Sequence, residues 1–279
     1  MKAGRPVMRW HGGKWKLAPW IISHFPEHRV YVEPFGGAGS VLMRKPRSYA
    51  EVYNDLDGEA VNVFRVLRDP ASAAELGRLM RLTPFSRKDF EAVVGKDDGA
   101  IERARMVIFR SFAGFGSASA NFEYPTGFRS NSNRSGTTPA HVWAHYPDEI
   151  AAFVDRLQGV VIESRPAIEV MAQHDGLTTL HYVDPPYLHS TRRPRKRARK
   201  EYGAWEMSDE EHVELATVLH GLEGMVVLSG YRSELYDQLY MDWERDERKT
   251  FADGAAPRLE CVWLSPGLVV PQRKLMVGT

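Results

Sequence analysis

Val30-Tyr31-Val32-Glu33-Pro34-Phe35-Gly36-Gly37-Ala38-Gly39-Ser40 opens on a short β-type run, turns through a glycine-rich loop and leads into Ser40–Arg44, a segment able to open a helix. Glycines at such a turn let the chain reverse sharply and let its backbone approach a ligand closely. The spacing departs from the dinucleotide pattern G-x-G-x-x-G, because Leu42 stands at the third position. Strand-to-helix turns with two glycines also occur where nothing binds. A second strand-like run, Tyr49 to Tyr53, is stopped by Asn54-Asp55, which puts Asp55 sixteen residues past Gly39. A carboxylate there can accept both hydroxyls of a ribose, so loop and acid together imply an adenosine-containing cofactor.

Outward from this loop the chain alternates, is interrupted, and alternates again. From Gly58 to about Phe112 the apolar period is helical, with apolar positions such as Val63, Val66 and Leu67 and later Ile101, Met106 and Val107. Residues 114–138 lack a period, and 12 of those 25 are Gly, Ser or Asn, the mark of a functional or disordered segment. After a helical Asp148–Leu157 the rhythm resumes: strand Val160–Glu163, helix Ala167–Gln173, strand Thr178–Val183. Ser208 with Glu211 forms a capping-box pattern that starts a helix over Asp209–Leu222. Met225–Leu228 reads as a buried parallel strand, and Trp243–Phe251 with Leu259–Leu264 as a closing antiparallel pair. The spacing predicts an α/β protein: a doubly wound sheet built from 1–62 and 151–279, with a mainly helical lobe at 63–150.

Composition narrows the class. The chain has 279 residues, 43% apolar and 26% charged, which is globular and not disordered. A single cysteine, Cys261, excludes an internal disulfide and cysteine-rich zinc modules. No run of 18 apolar residues and no apolar signal core is present, so a soluble cytoplasmic protein without a membrane span is expected. No convincing metal-ligand cluster is visible. The net charge is +1, yet Arg192–Lys200 packs seven basic residues into nine positions. Lys2, Arg5, Arg9, Lys14 and Lys16 all precede the first acid, Glu27. Such gathering on a nearly neutral chain points to a local face for a polyanion; solvated loops or a localisation signal would read the same way.

The most specific element is Asp184-Pro185-Pro186-Tyr187, at the end of the strand Thr178–Val183. Neither proline can donate to a ladder and both fix φ, while Asp184 before a proline is held extended. The result is a stiff corner presenting a carboxylate, backbone carbonyls and an aromatic ring. That suits the exocyclic amine of a planar base. Asp184 and the Pro185 carbonyl accept its two hydrogens, and Tyr187 stacks on the ring, a contact worth about 1–3 kcal/mol.

With these motifs in place, the sequence resembles the Dam family of DNA adenine-N6 methyltransferases. Arg9-Trp10-His11-Gly12-Gly13-Lys14 matches its N-terminal aromatic-x-Gly-Gly-Lys signature, followed in family order by the glycine loop, Asp55, the lobe and the Asp-Pro-Pro-Tyr tetrad. Val227-Leu228-Ser229-Gly230-Tyr231 is similar to a late strand of that family.

The resemblance implies a Rossmann-like methyltransferase sheet, S-adenosylmethionine as cofactor and double-stranded DNA as partner. It also implies site-specific methyl transfer to a flipped adenine by a monomer or weak dimer. It places Trp10, Gly12, Gly13, Lys14, Pro34, Phe35, Gly37, Gly39, Ser40 and Asp55 at the cofactor, with Lys14 near the methionine carboxylate, and Asp184 at both cofactor and target. His11 stays unassigned. The lobe becomes the target-recognition unit, with Phe115 as a wedge and Arg9, Arg110, Arg129, Asn131, Asn133, Arg134, Arg192 and Arg193 at phosphates or base edges. Cytosine-N4 methylation uses similar chemistry; the leading Asp favours adenine by resemblance alone. RNA or protein-glutamine methylation, a dehydrogenase, or a binding module without catalysis are the other readings.

Overall fold

A computed structural model describes residues 3–92, 95, 97–122, 126–131, 136–191, 205–251, 257–266 and 268. Among these, α1 (Ala18–Ile22) precedes β1 (Val30–Glu33), α2 (Ser40–Arg44), β2 (Ala50–Asn54) and α3 (Gly58–Arg68). Helices α4 (Pro70–Leu82), α5 (Arg87–Glu91), α6 (Ala100–Ala113), α7 (Pro139–Ala144) and α8 (Ile150–Leu157) follow. The chain then runs through β3 (Val160–Glu163), α9 (Ala167–His174), β4 (Thr179–Val183), α10 (Asp209–Gly221) and β5 (Met225–Tyr231). It ends on α11 (Glu234–Leu239), β6 (Glu244–Phe251) and β7 (Pro257–Leu264).

The strands form one sheet in the order β3-β2-β1-β4-β5-β7-β6. The first five are parallel, and β7 runs antiparallel to both neighbours. Because β1 pairs with β2 on one side and β4 on the other, the strand order reverses there. Open α/β sheets bind ligands at the carboxyl ends beside such a switch. The expected mixed α/β sheet with a closing antiparallel pair is therefore present.

Alternate residues of the strands feed different cores, which is why the central strands read as continuous apolar runs. Tyr31, Tyr53, Leu180, Tyr182, Val227, Val262 and Leu264 join the larger core, continuous with α3, α4 and α6. Val183, Val226, Leu228, Cys261 and Trp263 pack the opposite side with α10 and α11. Between β2 and β3, α6 packs on α3, α4, α5 and α7. The division expected at residues 63 and 150 meets the start of α8 but falls inside α3.

Several elements differ from expectation. β5 continues three residues past the apolar run Met225–Leu228, to the Tyr231 that the family resemblance includes, because Ser229, Gly230 and Tyr231 pair with Val262, Cys261 and Glu260 of β7. Helices α1 and α11 carry no sequence expectation; each is only a turn or so long, and Ser233 starts α11 by accepting the Tyr236 N–H at 3.1 Å. The aperiodic stretch after α6 holds a 3-10 turn, Ser117–Ala120, and an antiparallel bridge between Gly114 and Phe128. The capping box on α10 forms as its residues require.

Candidate active site

The glycine loop is shaped by what presses on it. Gly37 and Gly39 sit at φ +47° and +57°, the left-handed region that L side chains avoid. A Cβ on Gly37 would lie 2.9 Å from the Trp10 ring, and one on Gly39 2.8 Å from Phe64. Two neighbours fix the loop: the Tyr53 hydroxyl donates to the Gly37 carbonyl at 2.7 Å, and the Gly37 N–H donates to Asp55 Oδ2 at 2.7 Å. Asp55 Oδ1 accepts the Asp57 N–H at 2.8 Å. Burial pushes the Asp55 carboxyl up to about 6, against the pull of these N–H donors.

Trp10 to Lys14 arrives from the helices between β2 and β3. Upstream, the Tyr146 hydroxyl donates to the Val7 carbonyl and the Arg9 N–H to Ser111 Oγ at 3.1 Å. Gly12, at φ +73°, then turns the chain so that Gly13 N–H meets the Trp10 carbonyl at 3.1 Å. The turn delivers Lys14, only 5% exposed, to the end of β4. Its Nζ lies 3.0 Å from Asp184 Oδ2, 3.5 Å from Glu260 Oε1, 2.7 Å from the Gly12 carbonyl and 4.7 Å from the Tyr187 ring centre. The Tyr187 hydroxyl donates to Glu260, and its ring meets Tyr231 edge to face at 4.6 Å. Burial pushes the Asp184 carboxyl up to about 6, with Lys14 opposing. Nearby Glu33 is pushed further, to about 8, by burial, although it accepts the Tyr31 hydroxyl at 2.7 Å and the Leu42 N–H at 2.9 Å.

Glycine loop, lysine turn and tetrad enclose one cavity of about 460 Å³, lined also by Glu33, Asp57, Ile168, Tyr182, Trp205 and Met207. That is within the range of small-molecule sites. Three buried polar atoms on its wall form no hydrogen bond among the described residues: Asp184 Oδ1, the Tyr182 hydroxyl and Ser40 Oγ. Buried polar atoms are ordinarily satisfied, so three orphans around one cavity imply a ligand that supplies their partners. The lining is rich in carboxylates, which suits a cationic ligand.

Trp10, Gly12, Gly13, Lys14, Pro34, Phe35, Gly37, Ser40, Asp55, Asp184 and Pro186 all line this cavity, as does the unassigned His11. Gly39 does not; it is spent on the start of α2 and on contact with Phe64. Tyr187 and Pro185 are buried behind the wall, and one face of Tyr187 is covered by Lys14. Lys14, expected near a methionine carboxylate, is held here by Asp184 and Glu260. Glu33, Tyr182 and Glu260 carry no role in the sequence reading; each is an acid or hydroxyl buried in a strand, and only the pairing of the strands shows that burial.

The residues expected at DNA are more scattered. Phe115 is 52% exposed on the loop that Gly127 and Thr126 back, and Asn131 is exposed. Arg9 and Arg129 line a second cavity of about 410 Å³ together with Arg5, Thr137 and Glu149. Arg110 is turned inward instead: it donates to the Phe90 carbonyl at 3.0 Å, between the Phe90 and Phe122 rings, and burial lowers its pKa. Asn133, Arg134, Arg192 and Arg193 lie outside the described residues. Among the described residues no helix is long and apolar enough to cross a membrane, and no three metal-ligating side chains converge.

Comparison with known proteins agrees with the geometry. A DNA adenine methylase of Vibrio cholerae is 24% identical over 198 residues, 67% of this chain and 66% of that protein. One of Escherichia coli is 22% identical over the same extent, and one of Serratia marcescens 32% over 68 residues, a quarter of its length. The chain thus spans just under two thirds of the longer-matching relatives. Residues 10–252 match the family described as D12 class N6 adenine-specific DNA methyltransferase, a stretch that holds the lysine turn, the glycine loop, the tetrad and the opening of the strand pair β6–β7. The chain belongs to that family.

Proposed function

We propose that the chain transfers a methyl group from S-adenosylmethionine to the N6 amine of adenine in double-stranded DNA, at a short specific site, with the target base turned out of the duplex. The observation that carries this reading is the buried, unsatisfied Asp184 Oδ1 on a stiff Pro-Pro corner, facing a cavity of about 460 Å³ bounded by the glycine loop. An amine inside the base stack cannot reach such a corner, which is why the base must leave the duplex.

The residues present fit the cofactor. Asp55 and the Gly37 backbone would hold its adenosine half, Trp10 and Phe35 its flanks, and Asp184, Ser40 and Tyr182 the polar groups that their orphaned atoms await. When bound, S-adenosylmethionine supplies an electrophilic methyl group on a cationic sulfur. Everything else falls to the protein. Asp184, with its carboxyl at about 6, is ionised at pH 7 and above and accepts one hydrogen of N6; the Pro185 carbonyl accepts the other. These bonds draw the nitrogen lone pair out of the ring system and fix its direction, so orientation and preorganised polar groups contribute most of the rate. Glu33, protonated at pH 7 with its carboxyl at about 8, keeps an already acidic wall from gaining another charge.

The sheet covered on both faces reads as doubly wound, and α4 to α7 as the inserted recognition lobe, so that 1–62 and 151–279 form the catalytic unit and 63–150 the target-recognition unit. Phe115 would wedge into the duplex, with Arg9, Arg129 and Asn131 at phosphates or base edges; the basic run around Arg192 and Arg193 would clamp the backbone. We place the protein in the cytoplasm, as a monomer or weak dimer. Incubation with methyl-labelled S-adenosylmethionine and unmethylated DNA tests the reading: digestion to nucleosides should release N6-methyladenine as the labelled product. Label in N4-methylcytosine would replace the target, and absence of label would remove the activity.

A further inference from the structure

The face of β7 that carries Glu260 continues with Val262 and Leu264, both in the larger core. At 3% exposure Glu260 is a carboxylate where the pattern asks for a hydrocarbon. A buried carboxylate is tolerated only with close donors. Oε1 has three: the Tyr187 hydroxyl, Ser229 Oγ at 3.4 Å and Lys14 Nζ at 3.5 Å. Two of the three belong to the candidate active site.

Lys14 meanwhile occupies both surfaces that the proposed reaction requires. Its ammonium is on Asp184 Oδ2 at 3.0 Å, and it stands 4.7 Å above the Tyr187 ring centre. We propose that Glu260 is a positioning residue that takes over the Lys14 ammonium when cofactor and DNA enter, releasing Asp184 Oδ2 and the Tyr187 ring face to the target adenine. This rests on the functional reading above. A lysine drawn off Asp184 in a buried site would be left uncompensated unless a second carboxylate were within reach. Glu260 is already within reach, so rotation about the last side-chain torsions suffices and the backbone of the lysine turn can stay fixed. The charges then pair as Lys14 with Glu260 and the cationic cofactor with Asp184. Glu260 also holds the Tyr187 hydroxyl, so the ring is uncovered without being set loose.

Glu260→Gln keeps an acceptor for Tyr187 and Ser229 but removes the charge. The expected result is cofactor affinity within about twofold of wild type by calorimetry and a kcat on DNA lower by roughly tenfold or more. Glu260→Asp should recover part of that rate. A Glu260→Gln protein with near-normal kcat, or one losing rate and affinity together while Glu260→Asp does no better, overturns the proposal. Should both variants fold poorly, the wild-type protein decides: in a crystal structure with a non-reactive cofactor analogue and substrate DNA, Lys14 Nζ should be within about 3 Å of Glu260 and out of hydrogen-bond reach of Asp184. Lys14 still seated on Asp184 in that complex would overturn it. Wild-type protein that binds cofactor yet methylates no DNA refutes instead the functional reading, and the wild-type control tells the two failures apart.

Discussion

Alanine at Gly37 and alanine at Gly39 separate the two jobs of the loop. Both positions have positive φ, +47° and +57°. A left-handed backbone costs an L residue about 1–2 kcal/mol, of which the stiffer unfolded chain returns about 0.4–1 kcal/mol. Each new Cβ also collides with an aromatic ring, at 2.9 Å from Trp10 for Gly37 and 2.8 Å from Phe64 for Gly39. Both variants should therefore lose about 1–2 kcal/mol, seen as a fall in Tm of roughly 2–8 °C at this chain length. Their effects on binding should diverge. Trp10 is a wall of the cavity and Phe64 is not, so displacing the indole narrows the ligand site, whereas displacing Phe64 disturbs only the core. By calorimetry, Gly37→Ala should weaken S-adenosylmethionine binding about tenfold or more, equal to about 1.4 kcal/mol, while Gly39→Ala stays within about threefold of wild type. Equal losses of affinity in the two variants, or unchanged affinity in Gly37→Ala, would refute the assignment of Trp10 and Gly37 to the cofactor wall.

Raised acids make the ligand-free fold pH-sensitive. Asp55 and Asp184 are held up to about 6 and Glu33 up to about 8 by burial. Each favours the protonated fold, so its contribution is full below the ordinary carboxyl range and is lost as pH rises through 6 and then 8. Glu51, which Arg156 and Lys45 hold low despite its burial, titrates below this window. Burial holds His28 and His181 low, which raises stability up to the ordinary histidine range and opposes the acids there. Above it, scanning calorimetry of ligand-free protein should show Tm falling from about pH 7 to 8, and Glu33→Gln should flatten that fall, whereas a wild-type Tm that rises there contradicts this. On DNA, Arg9→Ala and Arg129→Ala should each weaken binding across sequences and reduce the salt slope of log K by about one. Slopes equal to wild type would remove those arginines from the phosphate contacts.

Much of this architecture was legible because its signals are local. The strand, glycine loop and helix at 30–44, the capping box at Ser208 and the apolar strand at Met225 each follow from backbone preference or a periodic pattern. Much of the cavity wall was legible for the same reason, since Trp10, Gly12, Gly13, Lys14, Asp55 and Asp184, which all line it, lie in short motifs. What stayed hidden depends on partners distant in sequence. Glu260 gains its meaning only when β7 pairs with β5 and brings it beside Tyr187 and Lys14. Gly39 looked like a second ligand contact, and only the position of Phe64 shows that packing is what demands it. Arg110 read as a surface cation until α5 and the Phe122 loop closed over it. Tyr187 is three residues past the acid in sequence, yet its ring face depends on where a lysine from the other end of the chain comes to rest.

In the proposed reaction a rigid acidic corner, Asp184-Pro185-Pro186-Tyr187, orients an adenine amine for methylation. The most direct measurement treats unmethylated genomic DNA with S-adenosylmethionine and either wild-type protein or a folded Asp184→Ala variant, then maps modified bases by sequencing. N6-methyladenine is expected in one short sequence context with the wild type and nowhere with Asp184→Ala. Methylation by Asp184→Ala at the wild-type level, or modification of a base other than adenine, would contradict it.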